Sequence, residues 1–146
     1  MMMRPRQLQL PQSVLSHVVQ HAERQGAGEV VGLLGGNEEG GRLVARCAVP
    51  LTNLAKGRVF IADPYEQFVG IQRLKRRGLE LVGIYHSHPG GTPILSPADR
   101  VFAMDWNCVH LVVASQEVGR RLWRTGAWLT DSGALHPISV EVMADR

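Results

Sequence analysis

Between Pro11 and Gln25, Val14, Leu15, Val18, Val19 and Ala22 recur at three- and four-residue spacing and Gly26 follows, which predicts an amphipathic helix with a glycine exit. Such a helix covers one face of a sheet. The apolar run Glu29-Val30-Val31-Gly32-Leu33-Leu34 ends at Gly35-Gly36, and after a Gly40-Gly41 turn Arg42 to Leu51 has the same strand-like composition, so the two predict a hairpin. Asp63-Pro64-Tyr65-Glu66 supplies a cap, a proline at the first helical position and an acidic residue three after the cap, starting a helix that runs to Arg77 and ends at Gly78. Leu79 to His88 follows as a strand. Ser96-Pro97-Ala98-Asp99 repeats the start signal for a shorter helix through about Trp106, and His110 to Ser115, Arg121 to Leu129 and Leu135 to Val142 read as closing strands.

The order of helix, two strands, helix, strand, short helix and three strands is that of an α/β fold of α+β-like character, with a mixed β-sheet flanked by helices. With 146 residues, 45% of them hydrophobic, one core is large enough to stand without staples, so residues 1–146 are expected to form a single domain. No run of 18 apolar residues occurs, and the start Met1-Met2-Met3-Arg4-Pro5-Arg6 leads into polar residues. We therefore expect a cytoplasmic protein without a membrane span.

Cys47 and Cys108 have no CxxC partner, which excludes a four-thiolate zinc site and favours two buried thiols over a disulfide. A net charge of +3 and a pI near 9.3 are too mild to imply nucleic acid. Arg73, Lys75, Arg76 and Arg77 sit where cations complement the carbonyl end of a helix. Arg120, Arg121 and Arg124 lack interleaved aromatics, so no stacking platform for single strands is predicted.

Chemistry is concentrated in His86-Ser87-His88-Pro89 and Ser96-Pro97-Ala98-Asp99. Residues two apart on a strand share a face, so His86 and His88 can converge on one ion while Ser87 points away. A loop from Pro89 to Leu95 is long enough to bring Asp99 back over them. Two imidazoles and one carboxylate leave a fourth tetrahedral position open, as in catalytic zinc sites. Each half also has a plainer explanation: histidines near strand ends are often ordinary surface or hydrogen-bonded residues, and Ser96-x-x-Asp99 is a sound helix cap without any metal.

Taken together, His86, His88, Ser96 and Asp99 match the H-x-H, seven residues, S, two residues, D spacing of the JAMM, or MPN-plus, metallopeptidases, and the chain resembles that family from about residue 8 to at least 115. Glu29, before a glycine-containing apolar strand, matches the family's upstream glutamate. Similarity extends to Pro50-Leu51-Thr52-Asn53 and Phe60-Ile61-Ala62-Asp63-Pro64. The resemblance implies the JAMM/MPN fold, which is cytidine-deaminase-like, with one Zn²⁺ per chain held by His86, His88 and Asp99.

It also implies catalytic roles. Zinc lowers the pKa of a bound water to about 7, Glu29 acts as general base and returns the proton to the leaving amine, and the Ser96 hydroxyl stabilises the oxyanion. The implied substrate is a peptide or isopeptide bond after the C-terminal Gly-Gly of a ubiquitin-like sulfur-carrier protein; a homodimer is left open. Gly90 and Gly91 read as turn residues that also keep the rim of the site low.

Three alternatives compete. RadC-like proteins linked to DNA repair share the H-x-H-P…S-x-x-D arrangement, although no helix-hairpin-helix segment is visible here. A non-catalytic MPN scaffold usually lacks part of the metal set, which is complete in this chain. A zinc deaminase needs H-x-E and P-C-x-x-C elements that are absent. His17, His21, His110 and His136 have no partner spacing and read as structural or surface residues.

Overall fold

A computed structural model describes residues 4–55, 59–116 and 122–145. Along the chain the elements are β1 (Gln7–Pro11), α1 (Gln12–Gln25), β2 (Val31–Glu39), β3 (Arg42–Leu51), α2 (Pro64–Arg76), β4 (Glu80–Pro89), α3 (Pro97–Ala103), β5 (Val109–Ser115), β6 (Trp123–Asp131) and β7 (Ala134–Met143). The strands form one mixed sheet in the order β1-β3-β2-β4-β5-β6-β7. It closes into a barrel because β1 pairs in parallel with both β3 and β7.

Closure depends on the one strand that the hydrophobic pattern does not announce. β1 has only five residues, but Leu8 and Leu10 are wholly buried while Gln7 and Gln9 alternate with them, as a two-residue period requires. Pro11 ends β1 and caps α1. The expected Glu29 strand instead begins at Val31 and runs through Gly35-Gly36 to Glu39. Those glycines sit in the ladder at a register shift, and a Cβ at Gly36 would collide with the Val44 carbonyl, so they mark a close approach rather than a strand end.

Two apolar clusters hold the sheet. Val14, Val18 and Ala22 of α1 pack with Leu8, Leu10, Leu34, Tyr85, Leu111 and Val113. Val31, Leu33, Leu51, Ile84 and Cys108 form the second, with Phe60, Ile71 and Phe102 against it. α2 follows the predicted start: the Asp63 carboxylate accepts from the Tyr65 and Glu66 amides, and Arg73, Lys75 and Arg76 lie in its last turn.

β4 is interior, antiparallel to β2 and parallel to β5, and α3 makes the crossover between β4 and β5. The functional motif therefore spans the C-terminal end of a parallel strand and the start of the helix that follows it, the usual place for a site in such sheets. α3 ends at Ala103 rather than near Trp106. Its last carbonyls are held by the fold, since the Thr130 hydroxyl donates to Ala103 O at 2.8 Å.

Both cysteines are free, but only Cys108 is fully buried, and burial pushes its thiol up to about 12; Cys47 is half-buried. Arg124 is exposed on β6, whereas Arg120 and Arg121 lie outside the described residues. No helix among the described residues is long and apolar enough to cross a membrane.

Candidate active site

β4 pairs with β2 so that His86 faces Val31, which brings the H-x-H end of one strand beside the segment that carries Glu29. Strand alternation then separates the three motif residues: His86 and His88 turn to one side, and Ser87 turns into the protein, where its hydroxyl accepts the Val30 amide at 2.9 Å. Asn53 fixes the same segment from another direction. Its amide nitrogen donates to Glu29 O at 3.0 Å, and its Oδ1 accepts the amides of Ala55 and Ile61 at 2.9 Å each.

Ser96 begins α3 with a full capping box: its Oγ accepts the Asp99 amide at 3.1 Å, and Asp99 Oδ2 accepts the Ser96 amide at 2.9 Å. That same Oδ2 lies 3.0 Å from His86 Nε2 and 3.0 Å from His88 Nε2, and the two imidazole nitrogens are 3.1 Å apart. Glu29, His86 and His88 each offer a ligand atom within 4.8 Å of one another. The structure thus gathers all five sequence-predicted residues, and Glu29, His86 and Asp99 are buried.

This donor set fits a cation. His88 Nδ1 lies 2.8 Å from the Thr92 carbonyl, which can only accept, so Nδ1 carries a proton and Nε2 is the nitrogen whose lone pair a metal ion can take once the ring is neutral. A lone pair, a carboxylate oxygen and a second ring nitrogen converge with too few protons to satisfy them. Ligands of a tetrahedral zinc stand about 3.3 Å apart for bonds of about 2.0 Å, close to the triangle observed.

Electrostatics agree with that reading. Burial raises the Asp99 carboxyl, but its bonds to His86 and His88 outweigh this and hold it well below the usual carboxylate range. Burial lowers His86. For His88 burial also acts downward, yet the bonds to Asp99 and Thr92 and the charges of Asp99 and Glu29 leave it raised. A site that pulls a proton onto one of its imidazoles attracts positive charge.

Phe60 stacks over His86 with ring centroids 4.6 Å apart, and Phe102 meets Phe60 edge-on at 4.9 Å. A cavity of about 330 Å³ adjoins the site, lined by Glu29, His88, Gly90, Gly91, Thr92 and Ser96 among others. Gly91 approaches His88 so closely that a Cβ would sit 3.2 Å from the His88 Cβ. Ser87, Thr92 and the packing role of Phe60 were not identified from the sequence. Ser87 could have been found, because the residue between two same-face ligands must point into the sheet interior, where a serine needs a partner.

Residues 11–126 match the family described as prokaryotic homologs of the JAB domain. The chain is 35% identical over 76% of its length, and 72% of the relative's, to a probable TtuB-protein conjugate cleaving protease of Thermus thermophilus. It is 34% identical over 68% of its length, and 72% of the relative's, to a desampylase of Haloferax volcanii. The solution structure of protein DSY2949 from Desulfitobacterium hafniense superposes with a TM-score of 0.83 at 23% identity, covering 94% of each chain, a likeness of fold. The chain belongs to the prokaryotic JAB-domain family, the JAMM class of peptidase that its motif resembles.

Proposed function

We propose that this chain is a zinc-dependent peptidase that hydrolyses the peptide or isopeptide bond after the C-terminal Gly-Gly of a ubiquitin-like carrier protein, with residues 1–146 acting as one domain in the cytoplasm. The observation that carries it is the convergence of His86 Nε2, His88 Nε2 and Asp99 Oδ2 at 3.0–3.1 Å, with the His88 tautomer set by Thr92. In this reading those three residues hold the metal. Zinc bound there would supply Lewis acidity and a water pKa near 7.

Glu29 suits the base rather than a fourth ligand. Asp99 already contacts both imidazoles at 3.0 Å, so those three residues make a ligand set without Glu29, whose carboxylate lies in the same group and is left for a water held there. Its carboxylate takes a proton from the water that attacks the scissile carbonyl carbon and delivers it to the nitrogen as the C–N bond breaks. Ser96 does two jobs with one hydroxyl: the oxygen accepts the Asp99 amide, and the O–H remains to donate to the oxyanion. Gly90 and Gly91 line the cavity beside it, where an extended glycine tail can approach the backbone.

The similarity to a probable TtuB-protein conjugate cleaving protease and to a desampylase supports this substrate class. The scaffold alternative is disfavoured because Glu29, His86, His88, Ser96 and Asp99 are all present, and the RadC-like alternative because the relatives are named as a probable conjugate cleaving protease and a desampylase. The test is to incubate the zinc-loaded chain with Gly-Gly-tailed carriers bearing C-terminal extensions and weigh the products. Release of carriers ending in Gly-Gly is expected; intact fusions across the panel would sink the assignment.

A further inference from the structure

Glu29 belongs to two cavities. One is the metal-side cavity already described; the second, about 230 Å³, is lined by Glu29 together with His21 and Gln25 of α1 and with Asn53 and Ala55 beyond β3. The mechanism uses nothing in the second cavity except Glu29. His21, which has no role in the metal site, stands in its wall.

The orientation of His21 is built into the fold. Its Nδ1 lies 2.7 Å from the Tyr85 hydroxyl, and the rings meet edge-on with centroids 5.8 Å apart. Tyr85 occupies space left by Gly32 on the adjacent strand, where any Cβ would fall on the phenol ring. Burial keeps the Tyr85 phenol protonated at neutral pH, and its O–H, shut off from water, needs an acceptor, which the structure offers in Nδ1. Burial and the charge of Arg24 lower the His21 pKa, so the ring is neutral and its one proton sits on Nε2. With Nδ1 turned inward, Nε2–H is the donor left for the cavity.

Besides Glu29 and His21, the side chain in that wall with open hydrogen-bonding capacity is Gln25, an exposed amide at the end of α1. Asn53 is committed to Glu29 O, Val59 O and the amides of Ala55 and Ile61, while Val30, Leu51 and Ala55 are apolar. A fixed neutral donor beside a carboxylate selects an uncharged acceptor, since Glu29 repels an anion. The main-chain carbonyl of an extended polypeptide has that chemistry. We propose that His21 Nε2 donates a hydrogen bond to a substrate main-chain carbonyl in this second cavity, which shares Glu29 but not the oxyanion donor Ser96 with the metal-side cavity, making His21 a substrate-binding residue.

The assignment rests on the peptidase reading above. Its test uses the full chain, loaded with zinc, and a linear fusion of a Gly-Gly-tailed carrier to a fluorescent peptide. His21→Phe should raise KM about 3–10-fold, the loss of one ordinary hydrogen bond, with kcat within about twofold and zinc content unchanged. His21→Gln, which keeps an N–H donor, should restore most of the loss, and Tyr85→Phe, which frees the tautomer, should raise KM by less than His21→Phe. Product inhibition by the cleaved carrier separates two sources of the carbonyl: it weakens together with KM if the carrier tail supplies it, and is unchanged if the released segment does. A metal-replete His21→Phe enzyme with unaltered KM overturns the assignment, as does a defect that His21→Gln leaves in place. Should His21→Phe not fold, His21→Gln and Tyr85→Phe decide: unaltered KM in Tyr85→Phe then counts against it. An unmodified chain that cleaves no fusion removes the peptidase reading first, and this assignment with it.

Discussion

Ser87 Oγ accepts the Val30 amide at 2.9 Å, so the middle residue of His86-Ser87-His88 holds the residue next to Glu29. Two parts of the proposed machinery, separated by more than fifty positions in the chain, are thereby fixed to one another by a hydrogen bond inside the protein. Asn53 completes the hold by donating to the Glu29 carbonyl. Both bonds grip the single Glu29–Val30 peptide unit, which positions the base through its backbone.

Ser87→Ala should therefore affect the base without touching the metal. The substitution leaves a buried amide without its acceptor, a cost of about 1–3 kcal/mol, and lets the Glu29 segment shift. Chemical denaturation should show that loss, and kcat should fall while zinc stoichiometry stays at one per chain. A zinc-free Ser87→Ala protein would place the serine among the metal supports instead.

Glu29→Gln separates base from ligand. The amide preserves shape but cannot take a proton, so hydrolysis should drop by about 10²–10⁴-fold with zinc retained. His88→Ala should lose metal and activity together. If Glu29→Gln lost its zinc, the carboxylate would be a ligand, as its place within 4.8 Å of both histidines permits.

Much of this site is legible in the sequence because its order is local. H-x-H needs only the two-residue period of a strand, and Ser96-x-x-Asp99 needs only a helix start. The structure adds that the plain and the chemical readings of the second motif coincide: Asp99 Oδ2 closes the capping box and also meets both imidazoles. β1 and the His21–Tyr85 pair were not legible, for different reasons. β1 is a short strand whose two leucines are buried by partners from the middle and the end of the chain, and His21 reads as a lone helical histidine until Gly32 is seen to admit the Tyr85 ring beside it.

Ser96 should show both of its functions on substitution. Ser96→Ala removes a helix cap, at about 0.5–2 kcal/mol, and an oxyanion donor, at about 10²–10³ in kcat. Ser96→Asp keeps an acceptor for the Asp99 amide but offers no hydroxyl. Thermal unfolding of Ser96→Asp should therefore lie nearer the unmodified protein than that of Ser96→Ala, with activity lost in both. Activity close to the unmodified level in Ser96→Asp would leave the serine as a cap alone.

Zinc affinity should weaken as pH falls. His88 has a folded pKa above its ordinary 6.5, so below that value a proton occupies the nitrogen that the metal needs, and the apparent affinity should decline by about tenfold per unit for that one proton. His86 is lowered by burial and adds its competition only in more acidic solution. Competition with a chromophoric chelator between pH 8 and 5.5 measures both slopes. A flat profile would exclude the imidazoles as ligands.

His110 contributes to stability with a sign that can be isolated. Burial lowers its pKa below 6.5, against opposing bonds to backbone carbonyls, and its Nε2 lies 3.3 Å from Trp106 O in the turn after α3. Between the folded and unfolded values the unfolded chain binds a proton that the native chain does not, so this residue favours folding above pH 6.5 and costs stability as pH falls from there to the folded pKa. His88, shifted upward, acts in the opposite sense, stabilising at low pH and losing that contribution as pH rises through its folded value. Comparison of the unmodified zinc-free chain with His110→Gln removes the other groups from the difference, because the amide keeps a donor for Trp106 O but does not titrate. Urea unfolding at pH 5.5 and 7.5 should show a smaller acid loss in His110→Gln, even if its stability at pH 7.5 is lower. An equal or larger acid loss would mean that folding does not lower the His110 pKa.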